Sequence, residues 1–132
     1  MTAAVDHAVC VQEDGFAALH FLPSSGEVMF ACARLCGRVV AFNVATAAIV
    51  RTFDLPQPAC SLAVCPDGER FVSGGASGGV FVVDTESGAC EELHGHMHAV
   101  QSLSFTEPLR VLSAGGATMR LWDLTSLVLR PT

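Results

Sequence analysis

Residues Leu93–Leu124 read LHGHMHAVQSLSFTEPLRVLSAGGATMRLWDL. The stretch opens on Gly95-His96 and closes on Trp122-Asp123. Between these dipeptides lie a spaced apolar set, Val100, Leu103 and Phe105, and a second apolar run, Val111-Leu112-Ser113, that ends at Gly115-Gly116. Short runs rich in Val, Leu and Phe, divided by Gly- or Pro-bearing turns, mark short antiparallel strands.

Working outward, the pattern recurs twice upstream. Phe16-Ala17-Ala18-Leu19-His20-Phe21 and Ala59-Cys60-Ser61-Leu62-Ala63-Val64 superpose on Val100-Gln101-Ser102-Leu103-Ser104-Phe105, with leucine fourth in each. The offsets are 43 and 41 residues. Each copy continues into a turn, at Pro23–Gly26, Pro66–Gly68 and Glu107-Pro108. Proline fixes φ there and glycine tolerates positive φ, so these read as hairpin connections. Second strands are predicted at Val28–Ala33, Arg70–Gly74 and Arg110–Ala114, and third strands at Val39–Asn43, Val80–Asp84 and Met119–Asp123. Fourth strands are predicted at Ala48–Phe53, Ala89–Leu93 and Ser126–Arg130.

A Gly-His opener, a Trp-Asp close and a period near 40–45 residues resemble the WD-repeat family of β-propellers. The resemblance implies an all-β fold of three four-stranded antiparallel blades of an incomplete β-propeller. Blade 1 would occupy residues 16–54, blade 2 residues 55–93 and blade 3 residues 94–132, with residues 1–15 as an N-terminal segment. Val5–Gln12 in that segment reads as one more strand, either of an adjacent blade or available to pair across a seam. The Trp-Asp slot becomes Val83-Asp84 and Phe42-Asn43 upstream, which keeps an apolar residue and an Asp or Asn for the turn.

In the family a blade is often pinned by hydrogen-bonded His, Ser/Thr, Trp and Asp. Carried over, blade 3 supplies Gly95, His96, Ser113, Trp122 and Asp123, and Trp122 is expected to be a buried anchor. The clamp's own acid would lie six residues before the Trp, where this chain has Gly116. Ser77 and Cys36 fill the same place in the other copies, so no blade is expected to hold a working polar clamp.

A closed propeller usually needs four to eight blades. Three copies imply a piece of a larger propeller, preferred here, or a half-ring that pairs with another chain. A mean hydropathy of +0.47 fits uncovered blade faces. The net charge of −6, with seven arginines and no lysine, argues against nucleic-acid backbone and anionic membranes as ligands. No run of about 18 apolar residues suggests a transmembrane helix. The start, MTAAVDHAVCVQEDG, lacks the basic and apolar regions of a secretory signal. The six cysteines sit where strands and turns need small apolar residues, so free thiols in a cytoplasmic setting are expected. Cytoskeletal or ciliary association stays open.

Three patterns suggest chemistry. His94, His96 and His98 alternate, and in extended chain alternate residues share a face that could hold a metal ion. The Gly-His opener gives His96 another role, so no metal is assigned. Cys32/Cys36 and Cys60/Cys65 lack the tight Cys-x₂-Cys spacing of a structural zinc site. Gly75-Ala76-Ser77-Gly78-Gly79 has the form of a hydrolase nucleophile elbow. That motif needs a helix after the turn, whereas Val80–Val83 reads as strand. No catalytic residue and no cofactor is therefore expected.

The family resemblance implies that the loop between second and third strands shares one rim with the loop joining consecutive blades, and that this rim often faces partners. Here that rim would display Arg34, Leu35, Arg38, Asp54, Gln57, His94, Met97 and His98. The expected function is protein–protein scaffolding, with protein partners. The alternative is a structural module that completes a propeller with another chain, an identical copy included, or with further blades.

Overall fold

The computed structural model describes residues 16–21, 28–33, 37–46, 48–107 and 109–125. Among the described residues eleven strands run in chain order: β1 (Phe16–Phe21), β2 (Val28–Ala33), β3 (Arg38–Asn43), β4 (Ala48–Asp54), β5 (Ala59–Val64), β6 (Arg70–Gly75), β7 (Gly79–Asp84), β8 (Cys90–His94), β9 (Ser102–Glu107), β10 (Arg110–Gly115) and β11 (Thr118–Asp123). They form three antiparallel meanders: β1-β2-β3-β4 (blade 1), β5-β6-β7-β8 (blade 2) and β9-β10-β11 (blade 3). The expected strands at Val5–Gln12 and Ser126–Arg130, and the turns at Pro23–Gly26 and Pro108, lie outside the described residues. No helix among the described residues is long and apolar enough to cross a membrane.

Two strands begin later than expected. The first strand of blade 3 begins at Ser102 instead of Val100. The Val100 amide donates to Gly75 O of blade 2 (3.1 Å), and pairing within blade 3 starts with Gln101 N on Ala114 O (2.9 Å). The fourth strand of blade 2 begins at Cys90, because Ala89 is held in the preceding turn. Its carbonyl accepts from Asp84 N (2.9 Å) and its amide donates to Ser87 Oγ (3.1 Å).

The third strands end alike. Asn43 Oδ1 accepts from Ala45 N (2.9 Å) and Thr46 N (3.0 Å). Asp84 Oδ1 accepts from Glu86 N and Ser87 N, both at 2.9 Å. Asp123 Oδ1 accepts from Thr125 N (3.0 Å) and from its hydroxyl. A short side chain bearing an acceptor turns the chain at each site.

The blades stack face to face. Phe30, Val39 and Phe53 of blade 1 meet Leu62, Val64, Phe71 and Val83 of blade 2 in one core. Phe71 lies at its centre, edge-on to Phe53 (centroids 4.9 Å) and tilted against Phe30 (5.4 Å). The second core joins Ala63, Val72 and Val82 of blade 2 to Val111 and Leu124, with Leu103, Phe105 and Trp122 packed at its margin. Blade 2 is thus apolar on both faces, and β7 reads as the continuous run GVFVVD instead of alternating. Polar ties cross the same seams. Ser61 Oγ donates to Val100 O (2.6 Å), and Arg51 of β4 donates to Thr85 O (2.7 Å) and Glu86 O of blade 2.

The far face of blade 3 is open. Aligning Trp122-Asp123 with Val83-Asp84 makes Leu121 and Met119 equivalent to Val82 and Val80. The valines are fully buried, whereas Leu121 is 57 % and Met119 69 % exposed.

Candidate polar clamp and rim

β10 and β11 pair in a register that sets Val111 beside Trp122. Ser113 lies two residues along β10 on the same face. The Trp122 indole N–H donates to Ser113 Oγ (2.7 Å), and Ser113 Oγ lies 2.7 Å from His96 Nε2. The expectation of no working clamp is therefore corrected: three members engage without the acid, because one hydroxyl can accept from the indole and donate to the imidazole. Trp122 is half-buried, not the fully buried anchor expected, and the Arg120 guanidinium lies 5.9 Å from its ring centroid. His96 is buried, and burial pushes its pKa below 6.5, with the nearby Arg120 charge adding to the effect.

Gly95 allows this packing. A Cβ there would lie 2.7 Å from Trp122 Cη2 and 2.8 Å from Arg120 Cδ. Gly116, in the place of the missing acid, has φ +60°. A Cβ there would lie nearest to His98, at 2.9 Å from its Cδ2. His96 Nδ1 is buried and has no hydrogen-bond partner among the described residues. In blade 2, Ser73 takes the place of Ser113, but Val83 offers no indole N–H, so that blade has no equivalent bond.

The loops joining blades meet the turns between second and third strands. Leu55 N donates to Gly37 O (2.6 Å), Ala76 N to Pro58 O (2.8 Å) and Val100 N to Gly75 O (3.1 Å). At this end Arg38 Nε contacts Asp54 Oδ1 (3.4 Å), and Ser77 N donates to Gln57 Oε1 (3.3 Å). Met97 is 91 % exposed, and His98 is exposed beside Gly116. His94 is the last residue of β8, and its Nδ1 lies 2.9 Å from Glu92 Oε2. Arg34 and Leu35 lie outside the described residues.

The three histidines occupy different surroundings: His94 exposed beside Glu92, His96 buried on Ser113, and His98 exposed by Gly116. Among the described residues no three potential ligands gather to hold a metal. Ser77 lies in a hairpin turn between strands β6 and β7, the context that removes the nucleophile-elbow reading. Cys32, Cys60, Cys65 and Cys90 are thiols. Burial first, with Asp67 contributing, pushes the Cys65 thiol up to about 11, and burial pushes Cys90 to about 11 as well.

Sequence reading missed one feature at the opposite end. Asp67, Gly68, Glu69, Asp84, Thr85 and Glu86 line a cavity of about 410 Å³. Asp67 is held below the usual carboxylate value chiefly by a side-chain hydrogen bond from Cys65, and Asp84 by the Ser87 amide. Both are therefore carboxylates at neutral pH.

No protein-family model matches the chain. Over 107 residues it is 39 % identical to Centriole proteome protein 16 of Chlamydomonas reinhardtii, an alignment covering 80 % of this chain and 5 % of that protein. The structure of U3-55K matches with a TM-score of 0.81 at 16 % identity, over 92 % of this chain and 40 % of that one. The RRP9 WD40 repeats match with a TM-score of 0.81 at 17 % identity, over 92 % of this chain and 39 % of that one. Three stacked antiparallel meanders, the Trp-Ser-His line and these likenesses together give the chain the WD-repeat β-propeller fold.

Proposed function

We propose that this chain is a protein-interaction scaffold whose rim of interblade loops and second-to-third-strand turns meets a protein partner. The observation that carries the reading is the set of backbone bonds at that rim, Leu55 to Gly37, Ala76 to Pro58 and Val100 to Gly75. Loops fixed in this way lose little conformational freedom on binding, so more of the contact energy appears as affinity. Met97, which is exposed there, offers an adaptable apolar contact of the kind enriched at interfaces. The fold and these loops favour a non-catalytic role. Resemblance to a protein named for the centriole proteome supports an intracellular, cytoskeleton-associated setting. The test is quantitative capture from centriole-enriched extract, comparing wild type with Met97→Asp/His98→Ala and with an opposite-rim control, Glu86→Ala. A defined set of partners lost only in the first variant supports the reading. Identical capture by all three overturns it.

A second reading has its own observation. Leu121 and Met119 are exposed where Val82 and Val80 are covered by a neighbouring blade. The open face supports a module completed by another blade, from this polypeptide or from another chain. Light scattering over a tenfold concentration range tests the association in trans. A discrete assembly that Met119→Ser/Leu121→Ser dissolves supports completion by another chain, and a monomer throughout removes that form of the reading.

A further inference from the structure

We infer that His96 is an acid-sensitive latch: on gaining a proton it releases the Gly95–Ala99 loop from blade 3 and frees the part of the rim that displays Met97 and His98. The loop is held from two sides. On blade 2 the His96 carbonyl lies so close to Gly78 that a Cβ there would overlap it. Just beyond, the Val100 amide donates to Gly75 O and its carbonyl accepts from Ser61 Oγ. On blade 3 the hold on the His96 side chain is Ser113 Oγ, 2.7 Å from Nε2. The same oxygen accepts the Trp122 indole N–H at 2.7 Å. One hydroxyl therefore joins the loop to both β10 and β11.

The direction of each bond makes this hold sensitive to a proton. Trp122 Nε1 can only donate, so Ser113 accepts from it and has one hydrogen to give. Among the described residues the acceptor for that hydrogen is His96 Nε2, which leaves the neutral ring with its proton on Nδ1. Acid adds the second proton at Nε2. Ser113 Oγ then faces two donors, and its own hydrogen loses its acceptor. Water cannot replace it while the loop is closed, because Ser113 is 0 % exposed. An orphaned buried donor next to a buried charge favours the open loop, in which both groups are solvated.

The surrounding charges act in the same direction. Arg120 of β11, whose guanidinium lies 5.9 Å from the Trp122 ring centroid, opposes a positive charge on His96. Glu92 of β8 is engaged by His94, and Asp123, at the far end of β11, by Thr125. Arg110, at the far end of β10, lies beside Glu107. His98 is exposed next to Gly116. The Ala76–Gly78 turn of blade 2 and the Gly115–Ala117 turn of blade 3 carry no ionisable group. Burial first, and Arg120 second, hold the closed-loop His96 below its ordinary 6.5, to which it returns when the loop opens. The closed loop is therefore fully favoured above 6.5. Below that value its opening rises by up to about tenfold per pH unit, until the closed-loop value is passed. The latch stands apart from the scaffold reading, because it is measured on the chain alone.

Trp122 is the single tryptophan of the chain, so its fluorescence reports on the latch alone. The experiment measures acrylamide quenching of the 132-residue chain from pH 8 to pH 5. The His96 ring is followed in parallel by ¹⁵N-histidine resonances, and amide exchange is corrected for its intrinsic pH dependence. Quenching should rise with the same midpoint as the His96 ring, below 6.5. The Gly95–Ala99 amides should open by up to about tenfold more per pH unit, while those of Phe71–Ser73 and Val80–Val83 stay protected. His96→Gln, whose amide oxygen accepts from Ser113 without titrating, should abolish the rise, and His98→Gln should keep it. Arg120→Gln should move the midpoint up toward 6.5. Quenching unchanged across the range in wild type overturns the proposal, and this arm needs no variant to fold. A rise that persists in His96→Gln, or one matched by equal opening of Phe71–Ser73, overturns it as well.

Discussion

The Arg51 guanidinium of blade 1 donates to the Thr85 carbonyl of blade 2 at 2.7 Å while its central carbon lies 4.9 Å from the Phe53 ring centroid. One nitrogen of that side chain, Nη1, therefore ties blade 1 to the Thr85 and Glu86 carbonyls of blade 2, while the guanidinium lies over a ring of its own strand. Arg51→Ala should destabilise the protein by about 1–3 kcal/mol, the range for a charged hydrogen bond plus ring contact. Arg51→Lys should recover part of the loss, since a single nitrogen, Nη1, serves both carbonyls and an ammonium carries enough donors to do the same, while the planar contact with the ring is lost. Urea denaturation measures this, and an unchanged midpoint for Arg51→Ala would show that the tie is idle.

Ser113 is the shared member of the clamp. Ser113→Ala orphans the Trp122 indole N–H and His96 Nε2 together, and should cost about 2–4 kcal/mol. Because Trp122 is half-buried, Trp122→Ala should cost about 2–3 kcal/mol, below the loss for a fully buried tryptophan. Thermal melts of both variants give the comparison. A Ser113→Ala protein as stable as wild type would mean that the bond line adds nothing to stability.

Gly95 lies against the indole. Gly95→Ala places a methyl 2.7 Å from Trp122 Cη2, and should destabilise by about 1–3 kcal/mol through overpacking. Near-ultraviolet circular dichroism should show a changed tryptophan signal. A native signal with an unchanged melt would contradict the close approach.

Two pH windows follow from the titrating groups. His96 has a folded pKa below its ordinary 6.5, so the unfolded chain binds more protons as pH falls below that value. Its contribution is therefore fully present above 6.5 and is lost progressively on acidification. Asp67, Asp84 and Asp123 have folded pKa values below 3.8, so their contribution is lost only as pH falls through and below that value. Melting temperature against pH should show both declines, and His96→Gln should remove the upper one. An upper decline that persists in His96→Gln would assign it elsewhere.

The open face of blade 3 separates folding from association. Met119→Ser/Leu121→Ser should change monomer stability by no more than about 0.5 kcal/mol, because both side chains are solvated there. Any concentration-dependent assembly should disappear in the same variant. Equilibrium unfolding at low concentration, paired with sedimentation at high concentration, separates the two effects.

The strand plan was legible because its signals are local: Gly and Pro at turns, Asn43, Asp84 and Asp123 at the ends of third strands, and apolar runs between them. Val100 misled because a buried valine looks the same in a strand and in a loop that crosses to the next blade. The clamp misled for a chemical reason. Absence of the acid at Gly116 suggested collapse, yet the serine hydroxyl satisfies the tryptophan and the histidine without it. The acidic cavity was hidden by distance along the chain. Asp67 and Asp84 lie in different turns, and they meet only because Arg70 pairs with Asp84 across β6 and β7. Rim residues could be named from the repeat, but the backbone bonds that fix them depend on how neighbouring blades dock.

Blade 2 is sealed on both faces while blades 1 and 3 each share one core with it. Opening β6 or β7 would dissolve both cores at once, whereas either end can fray and leave one intact. The amides of Phe71–Ser73 and Val80–Val83 should therefore exchange with solvent only through whole-molecule unfolding. Those of β4 and β11 should exchange through cheaper local events. Melting is therefore expected to run from the end blades inward, with the middle blade the last structure to go.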